Sequence, residues 1–339
     1  MKALVYKGAN MLVFEDVDDP TPDADAQEVL IRVESVGICG SDMHAYLGHD
    51  ERRPAPLILG HEAAGVVVSD KDQGRRVTVN PLVTCMQCDP CRRGYENVCA
   101  RRQIISMPPR EGAFAQYLTM PERNLVTVPD HVSFDQAALA EPIACGWHAI
   151  RLAQATLSHL SVADWRVLVI GGGAIGVGAA LSARAAGIGD ITILEPHNER
   201  RAFLNEKVSL RAVTADALAV GEMFDLVVDA VGFEATRRQA SARARPGGVI
   251  AHIGLGEATG GLDIRRLTLQ EITFIGCYTY SSSDFKNTAE AIFDGRLGPL
   301  DWVERRPLAA GGEAFRDIRA GRVIAPKIIL KPHLPGDAR

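Results

Sequence analysis

The sequence predicts an α/β chain in two parts, a β-rich, barrel-like part followed by a doubly wound parallel sheet. Three observations predict this. Up to about residue 142 the chain reads as short β-branched stretches punctuated by Pro, Gly and Asp. From Ile143 onward, buried strands alternate with helical stretches, the grammar of a parallel sheet. The length of 339 residues, 47% of them hydrophobic, suits two domains with full cores. The expected division is 1–142 with 280–339 as one domain and 143–279 as the other.

In the first part, Val29, Ile31 and Val33 alternate with Arg32 and Glu34, a half-buried strand. Ala64–Val68 and Val77–Val79 are further strands, and Pro81, Pro90, Pro108-Pro109 and Pro121 mark the long loops that follow. In the second part, Arg166–Ile170, Ile191–Leu194, Phe224–Ala230 and Gly248–Ile253 are strands, and Ile175–Ala186 is a helix of small residues. Helices are expected near Phe285–Phe293 and Glu313–Ala320. A last strand, Lys327–Leu330, returns to pack on the first domain.

Charge and composition exclude several classes of function. A net charge of −5 recommends neither nucleic acid nor an anionic membrane as partner. The start, Met1–Lys7 followed by Asn10 and Glu15-Asp16, lacks the apolar run of about 7–15 residues that a secretory signal needs. No stretch approaches the roughly 18–20 apolar residues of a membrane span. The expectation is a cytoplasmic protein. Seven cysteines, an odd number, argue against a closed disulfide framework and for metal-binding or catalytic thiols.

Gly171-Gly-Gly173-Ala174-Ile175-Gly176 satisfies G-x-G-x-x-G between a strand and a helix. In that pattern Gly171 makes the tight turn, Gly173 lets backbone approach a pyrophosphate, and Gly176 lets the helix pack on the sheet. The helix N-terminus then presents N–H groups to the phosphates. Glu195, at the end of the second strand and 19 residues past Gly176, can accept both ribose hydroxyls and repel a 2′-phosphate. This Rossmann signature points to NAD over NADP, with Arg200 and Arg201 close by as the feature that favours the phosphate. Gly232, just past the Phe224–Ala230 strand, is counted with the cofactor positions.

The cysteines fall into two groups. Cys85-x2-Cys88-x2-Cys91-x7-Cys99 places four soft thiolate ligands within fifteen residues, the makings of a closed tetrahedral zinc site. An iron–sulfur cluster uses similar donors, but nothing else in the chain suggests electron transfer. Cys39 stands in Gly37-Ile-Cys39-Gly-Ser41-Asp42-Met-His44, with Gly60-His61-Glu62 and Glu141-Pro142 downstream. One Cys, one His and one carboxylate can bind a second zinc and leave a coordination position open. Read singly, each of these residues is also an ordinary buried one.

Taken in order, Gly37–Asp42, Gly60–Glu62, the four-cysteine lobe, Glu141-Pro142 and Gly171–Gly176 give a pattern that resembles the zinc-dependent medium-chain dehydrogenase/reductase family, in its polyol and sugar-acid branch. The resemblance runs essentially end to end. It implies a chaperonin-10-like β-barrel catalytic domain, with the Rossmann domain inserted in it, and a homodimer or homotetramer. It further implies two zinc ions and NAD. Cys39, His61 and Glu141 match catalytic zinc ligands, Glu62 is a ligand in some relatives, and Cys85, Cys88, Cys91 and Cys99 match the structural site. Ser41 and His44 match proton-relay positions, and Asp42 a carboxylate that orients His61. Cys145 and Cys277 match no metal position. The connection Ser69–Arg75, ahead of Gly74-Arg75-Arg76-Val77, is shorter than the family's.

The reaction implied is reversible oxidation of a secondary alcohol of a polyol or sugar acid. Threonine or a vicinal diol is the alternative substrate, and a non-catalytic NAD- or zinc-binding protein the alternative class. Tyr46, Met107, Arg110, Phe114, Tyr278 and Tyr280 are candidates to line the substrate pocket, Arg110 for a carboxylate. Val249–Ile253 with Thr273–Ile275 offers an apolar sheet edge for assembly.

Overall fold

The strand Glu28–Gly37 organises the first part of the molecule. Its alternation buries Val29, Ile31 and Val33 and leaves Arg32 exposed. In the computed structural model, which describes residues 1–69 and 72–334, this strand pairs antiparallel with Glu62–Val67, Tyr117–Pro121 and Lys327–Lys331. Asp70 and Lys71 of the shortened connection lie outside the described residues. The chain divides into two compact units: Met1–Glu141 with Phe285–Asp294 and the described part of Val303–Arg339, and Pro142–Asp284 with Gly295–Trp302.

In the first unit a seven-stranded sheet runs Leu125–Thr127, Arg76–Val79, Glu62–Val67, Glu28–Gly37, Lys327–Lys331, Val303–Pro307, with Tyr117–Pro121 also on the central strand. A smaller sheet of Met11–Asp16, Lys2–Gly8 and Leu57–Ile58 accompanies it. Between them lies a core of Leu4, Ile31, Val33, Phe114, Phe315 and Leu330 among others. Tyr46 and Phe114 belong here, not to a substrate pocket. Tyr46 sits 5.2 Å and Phe114 6.0 Å, centroid to centroid, from the ring of Phe315. Both are buried because their rings complete an aromatic cluster that the backbone reach of the final helix, Gly311–Arg319, makes possible.

The tail is built into this sheet. Ile329 and Leu330 pair with Gly37 and Val36, and Lys327–Lys331 pairs in parallel with Val303–Pro307. Lys331 Nζ reaches Asp135 and Ser35, each at 2.7 Å, and Arg305 reaches the same carboxylate. Asp135 thereby ties the short helix Phe134–Ala138 to the sheet.

The second unit is a six-stranded, wholly parallel sheet in the order Arg211–Val213, Asp190–Leu194, Arg166–Ile170, Phe224–Asp229, Ala244–His252, Thr273–Gly276. Numbered along the chain this is 3-2-1-4-5-6, the order of dinucleotide-binding sheets. The small-residue helix Ala174–Ala185 packs against Ala140–Thr156 with backbone nearly touching. A Cβ added to Gly146 would lie 2.4 Å from the Ala179 nitrogen. The sheet edges are Arg211–Val213 and Thr273–Gly276; the strand carrying Val249 is interior, flanked by Phe224–Asp229 and Thr273–Gly276.

A buried polar knot closes this unit. Ser281 caps the helix Ser282–Phe293: its Oγ accepts from the Asp284 N–H at 3.1 Å, and Asp284 accepts from the Ser281 N–H at 3.1 Å. The same carboxylate accepts from Arg151 Nε at 2.6 Å and lies 2.7 Å from His148 Nδ1. Burial works to raise the Asp284 pKa, but His148, Arg151 and Ser281 outweigh it and hold the carboxyl far below the ordinary range. Because the folded-state pKa is depressed, the stabilisation is present above the unfolded value of about 4 and is lost as pH falls through the folded one. Asp284→Asn should therefore lower stability by about 2–4 kcal/mol at pH 7, discounted for the half-exposed Arg151. Urea midpoints should show that gap holding from pH 7 to 5 and closing below about pH 4. An equal midpoint for the two proteins at neutral pH would show that the knot does not support the fold.

Candidate active site and cofactor loop

Cys39 is the N-cap of the helix Gly40–Tyr46, and its own N–H donates to Asp42 Oδ2 at 2.9 Å. The other oxygen of Asp42 accepts from the Gly60 N–H at 3.3 Å and faces His61 Nδ1 at 3.4 Å. One fully buried carboxylate thus fixes the cysteine, the turn before the histidine and the imidazole. Ser106 Oγ also lies 3.4 Å from His61 Nδ1, so Nε2 is the ring nitrogen left for a ligand. Burial opposes protonation of His61, and the Asp42 and Cys39 charges beside it outweigh that and raise its pKa well above the usual value.

Glu62, also fully buried, opens the strand Glu62–Val67 opposite Gly37. Its Oε1 accepts from Lys327 Nζ at 2.6 Å, and that lysine, 4% exposed, also donates to Ile38 O at 2.8 Å. Its Oε2 is buried without a hydrogen-bond partner. Gly37 leaves room for it, since a Cβ there would stand 1.9 Å from this oxygen. Ligand atoms of Cys39, His61 and Glu62 lie within 4.8 Å of one another. A thiolate, an imidazole and a carboxylate with one orphaned oxygen, gathered this closely, fit a zinc ion with an open position.

Glu141 is not one of the three residues in that cluster. It is buried at the start of Ala140–Thr156, and its charge helps to raise the pKa of Lys327. Ser41 and His44 share the helix Gly40–Tyr46. Ser41 Oγ is 3.5 Å from Arg53 Nη2, and His44 is exposed. Arg53, 3% exposed, also pairs with Asp50 at 2.7 Å and donates to Ser106 O at 3.0 Å. Arg53, Ser106 and Lys327 escaped the motif reading. Only Lys327 left a trace, as the charge that opens the apolar strand Lys327–Lys331.

The four remaining thiols of the first unit form a knot clipped at its base, where Leu82–Val83 pairs with Gln103–Ile104. Sulfur separations are 3.4 Å for Cys85–Cys99 and Cys88–Cys91, 3.7 Å for Cys88–Cys99 and 3.8 Å for Cys85–Cys91. These are too long for disulfides and close to the edge of about 3.8 Å that Zn–S bonds of about 2.3 Å give a tetrahedron. The backbone N–H groups of Gln87 and Cys88 draw the Cys85 thiol down to about 5, while burial and the neighbouring sulfurs push Cys91 up to about 12. Four crowded sulfurs of this kind ionise together only around a cation, so this set too fits zinc. Cys145 and Cys277 are buried elsewhere, and burial pushes the Cys277 thiol up to about 12.

In the second unit the strand Arg166–Ile170 turns at Gly171, whose φ of +103° suits glycine. A Cβ on Gly176 would fall 1.8 Å from the Gly171 carbonyl oxygen. Gly173 caps the helix without a side chain, so no cap side chain takes the first-turn N–H groups at Ala174, Ile175 and Gly176, the cradle a pyrophosphate needs. Glu195 reaches this loop: Oε2 accepts from the Gly172 N–H at 3.0 Å and Oε1 from the His197 N–H at 2.9 Å. Arg200 lies in the helix Asn198–Phe203, its N–H donating to His197 Nδ1 at 3.3 Å. Arg201 donates to the carbonyls of Glu195 and Pro196 at 2.8 and 2.7 Å. Gly232, at φ +82°, donates to Asp229 Oδ1 at 2.9 Å.

One pocket candidate is removed by its partners and others by burial. Arg110 is held by Glu28 at 2.7 Å and Gln103 at 2.8 Å, so its guanidinium is spent within the first unit. Tyr280 is 1% exposed, and Met107 and Tyr278 are partly buried. Among the described residues no helix is long and apolar enough to cross a membrane.

Comparison with known proteins agrees with this chemistry. Residues 25–130 match the alcohol dehydrogenase GroES-like domain, and residues 174–294 match the zinc-binding dehydrogenase domain. The chain is 30% identical to a probable D-xylulose reductase A of Neosartorya fischeri, over 95% of this chain and 94% of that protein. It is 28% identical to L-galactonate-5-dehydrogenase of Escherichia coli, over 97% and 98%. Its structure superposes on acetophenone reductase from Geotrichum candidum in complex with NAD with a TM-score of 0.85, at 26% identity, covering 97% of this chain and 96% of that one. With both domains matched, two fitting metal sites and a dinucleotide loop, the chain belongs to the zinc-dependent medium-chain dehydrogenase/reductase family, whose members are oxidoreductases using zinc and NAD(P).

Proposed function

We propose that this protein interconverts a secondary alcohol of a polyol or sugar acid with the corresponding ketone, using NAD. The observation that carries the reading is the convergence of Cys39, His61 and Glu62, a buried carboxylate with one oxygen unpartnered, a donor set with an open position. The names of the xylulose reductase and galactonate dehydrogenase relatives support the substrate class. When bound, zinc supplies Lewis acidity that lowers the pKa of a substrate hydroxyl, and NAD supplies the hydride acceptor.

The chain's own residues do the rest. Cys39, His61 and Glu62 hold the metal, with Glu141 the carboxylate that can take the place of Glu62 when that side chain stays with Lys327. Asp42 fixes the His61 ring so that Nε2 points at the metal. Arg53 steadies Ser41, whose Oγ takes the hydroxyl proton. His44, three residues along the same helix and exposed, passes that proton to solvent. Cys85, Cys88, Cys91 and Cys99 hold a structural zinc. Gly171, Gly173, Ala174, Ile175 and Gly176 cradle the pyrophosphate, Glu195 receives the adenosine ribose, and Arg200 and Gly232 border the cofactor.

Two finer readings accompany this one. The seven cysteines, none of them bridged, suit a reducing cytoplasm. The edge strand Thr273–Gly276, one of two in this sheet and with Phe274 36% exposed, suits a homodimer or homotetramer.

The test is NADH formation followed by absorbance across polyols, sugar acids, threonine and vicinal diols. Turnover is expected with at least one polyol or sugar acid and should be abolished by a chelator. Activity confined to threonine or diols, or a flat trace over a broad panel with two zincs bound, would refute the reading. Cys39→Ser should lower kcat/KM by at least about a thousandfold, or about 4 kcal/mol, with an unchanged melting temperature. Cys91→Ser should instead lower the melting temperature by about 10 °C, the effect of losing roughly 3–5 kcal/mol. If both variants lose activity only in proportion to folded protein, the two sites do not divide their labour in this way.

A further inference from the structure

The helix Glu234–Arg243 carries a buried cation that neither the motifs nor the metal sites account for. Arg237 is 5% exposed, and its guanidinium donates to four backbone carbonyls. Nη1 reaches Gly232 O at 2.7 Å and Glu257 O at 2.9 Å, Nε reaches Gly260 O at 2.6 Å, and Nη2 reaches Thr259 O. Among the described residues no carboxylate pairs with it.

Those carbonyls belong to two loops, one after the strand Phe224–Asp229 and one after Ala244–His252. The loops pack backbone on backbone: a Cβ on Gly232 would stand 2.2 Å from Gly254 O. Gly256 and Glu257 donate back to the carbonyls of Val231 and Gly232, at 3.2 and 2.9 Å. Four carbonyl oxygens gathered around one point, that of Gly232 buried and the others partly so, repel one another and are costly without donors. A planar fork of five N–H groups meets them all, which an ammonium cannot.

The place of these loops gives them a role. In a sheet of order 3-2-1-4-5-6 a dinucleotide lies across the C-terminal ends of the strands at the switch between the first and fourth. Glu195, past the second strand, takes the adenosine side, and the helix at Ala174 takes the pyrophosphate. The other half of the cofactor then falls on the loops after the fourth and fifth strands. We infer that Arg237 is a positioning residue for the nicotinamide half of the cofactor, holding Gly232 and the 254–260 loop in the shape that receives it. The inference rests on the cofactor site proposed above.

The experiment compares NADH and ADP-ribose binding by titration calorimetry in the full-length wild type, Arg237→Ala, Arg237→Lys and Glu195→Ala, with melting curves alongside. ADP-ribose keeps the adenosine and pyrophosphate contacts and lacks the nicotinamide. Arg237→Ala should weaken NADH about tenfold and ADP-ribose less than about twofold, with Arg237→Lys between wild type and Ala for NADH. Glu195→Ala should weaken both ligands about equally. A purely structural role for Arg237 predicts equal losses for both ligands, and that result, or no loss for either, overturns the inference. If Arg237→Ala does not fold, Arg237→Lys decides by the same split, at about threefold for NADH. Glu195→Ala binding both ligands as tightly as wild type would overturn the cofactor reading itself, and the inference with it.

Discussion

The buried pair of Glu62 and Lys327 is the constraint on which the first unit turns. A carboxylate with no exposure needs a hydrogen-bond donor, a counter-charge or a metal at its oxygens, because desolvation costs several kcal/mol per ion. Lys327 supplies one of these partners from 265 residues away. The tail strand must therefore return to Glu28–Gly37 before the site can exist. The ladder that brings it there pairs Ile329 with Gly37 and Leu330 with Val36, and Gly37 in turn pairs with Glu62 and lies beside its Oε2. Fold closure and site assembly are in this sense one event.

Within that frame the local chemistry is economical. Asp42 closes a capping box with Cys39, accepts from Gly60 and faces His61, so three requirements rest on one carboxylate. Arg53 and Ser106 brace the same region from the loops on either side. In the second unit the corresponding organisers are Asp284, which joins a helix cap to His148 and Arg151, and Arg237, which gathers carbonyls. Each places a charge where backbone groups would otherwise lack partners, and each draws its partners from several segments of the chain.

What was legible in the sequence was what is local. The glycine loop, the four-cysteine run and the Gly60-His61-Glu62 turn are contiguous, and their chemistry follows from spacing. The strands Arg166–Ile170, Asp190–Leu194 and Phe224–Asp229 were legible because a parallel sheet buries both faces and leaves unbroken apolar runs. The long-range partners were not legible. Lys327, Arg53 and Arg237 look like solvated surface charges until their environment is known, since the default for Lys and Arg is exposure. Tyr46 and Phe114 misled for the opposite reason: aromatic residues near functional motifs suit a pocket or a core equally well, and only packing against Phe315 decides.

The same distinction bears on cofactor choice. On the proposed cofactor site, Arg200 and Arg201 are the feature that would recommend a 2′-phosphate. Arg201 is committed instead to the carbonyls of Glu195 and Pro196, and through them it stabilises the very turn that presents Glu195. That carboxylate is anchored at both oxygens by the N–H groups of Gly172 and His197, so it cannot swing away from an incoming phosphate. A fixed, 6%-exposed negative charge at the ribose position repels a second one strongly, because little water screens it. An arginine that reads as a phosphate ligand in the sequence thus acts in the fold to hold in place Glu195, the residue that on the proposed site excludes phosphate.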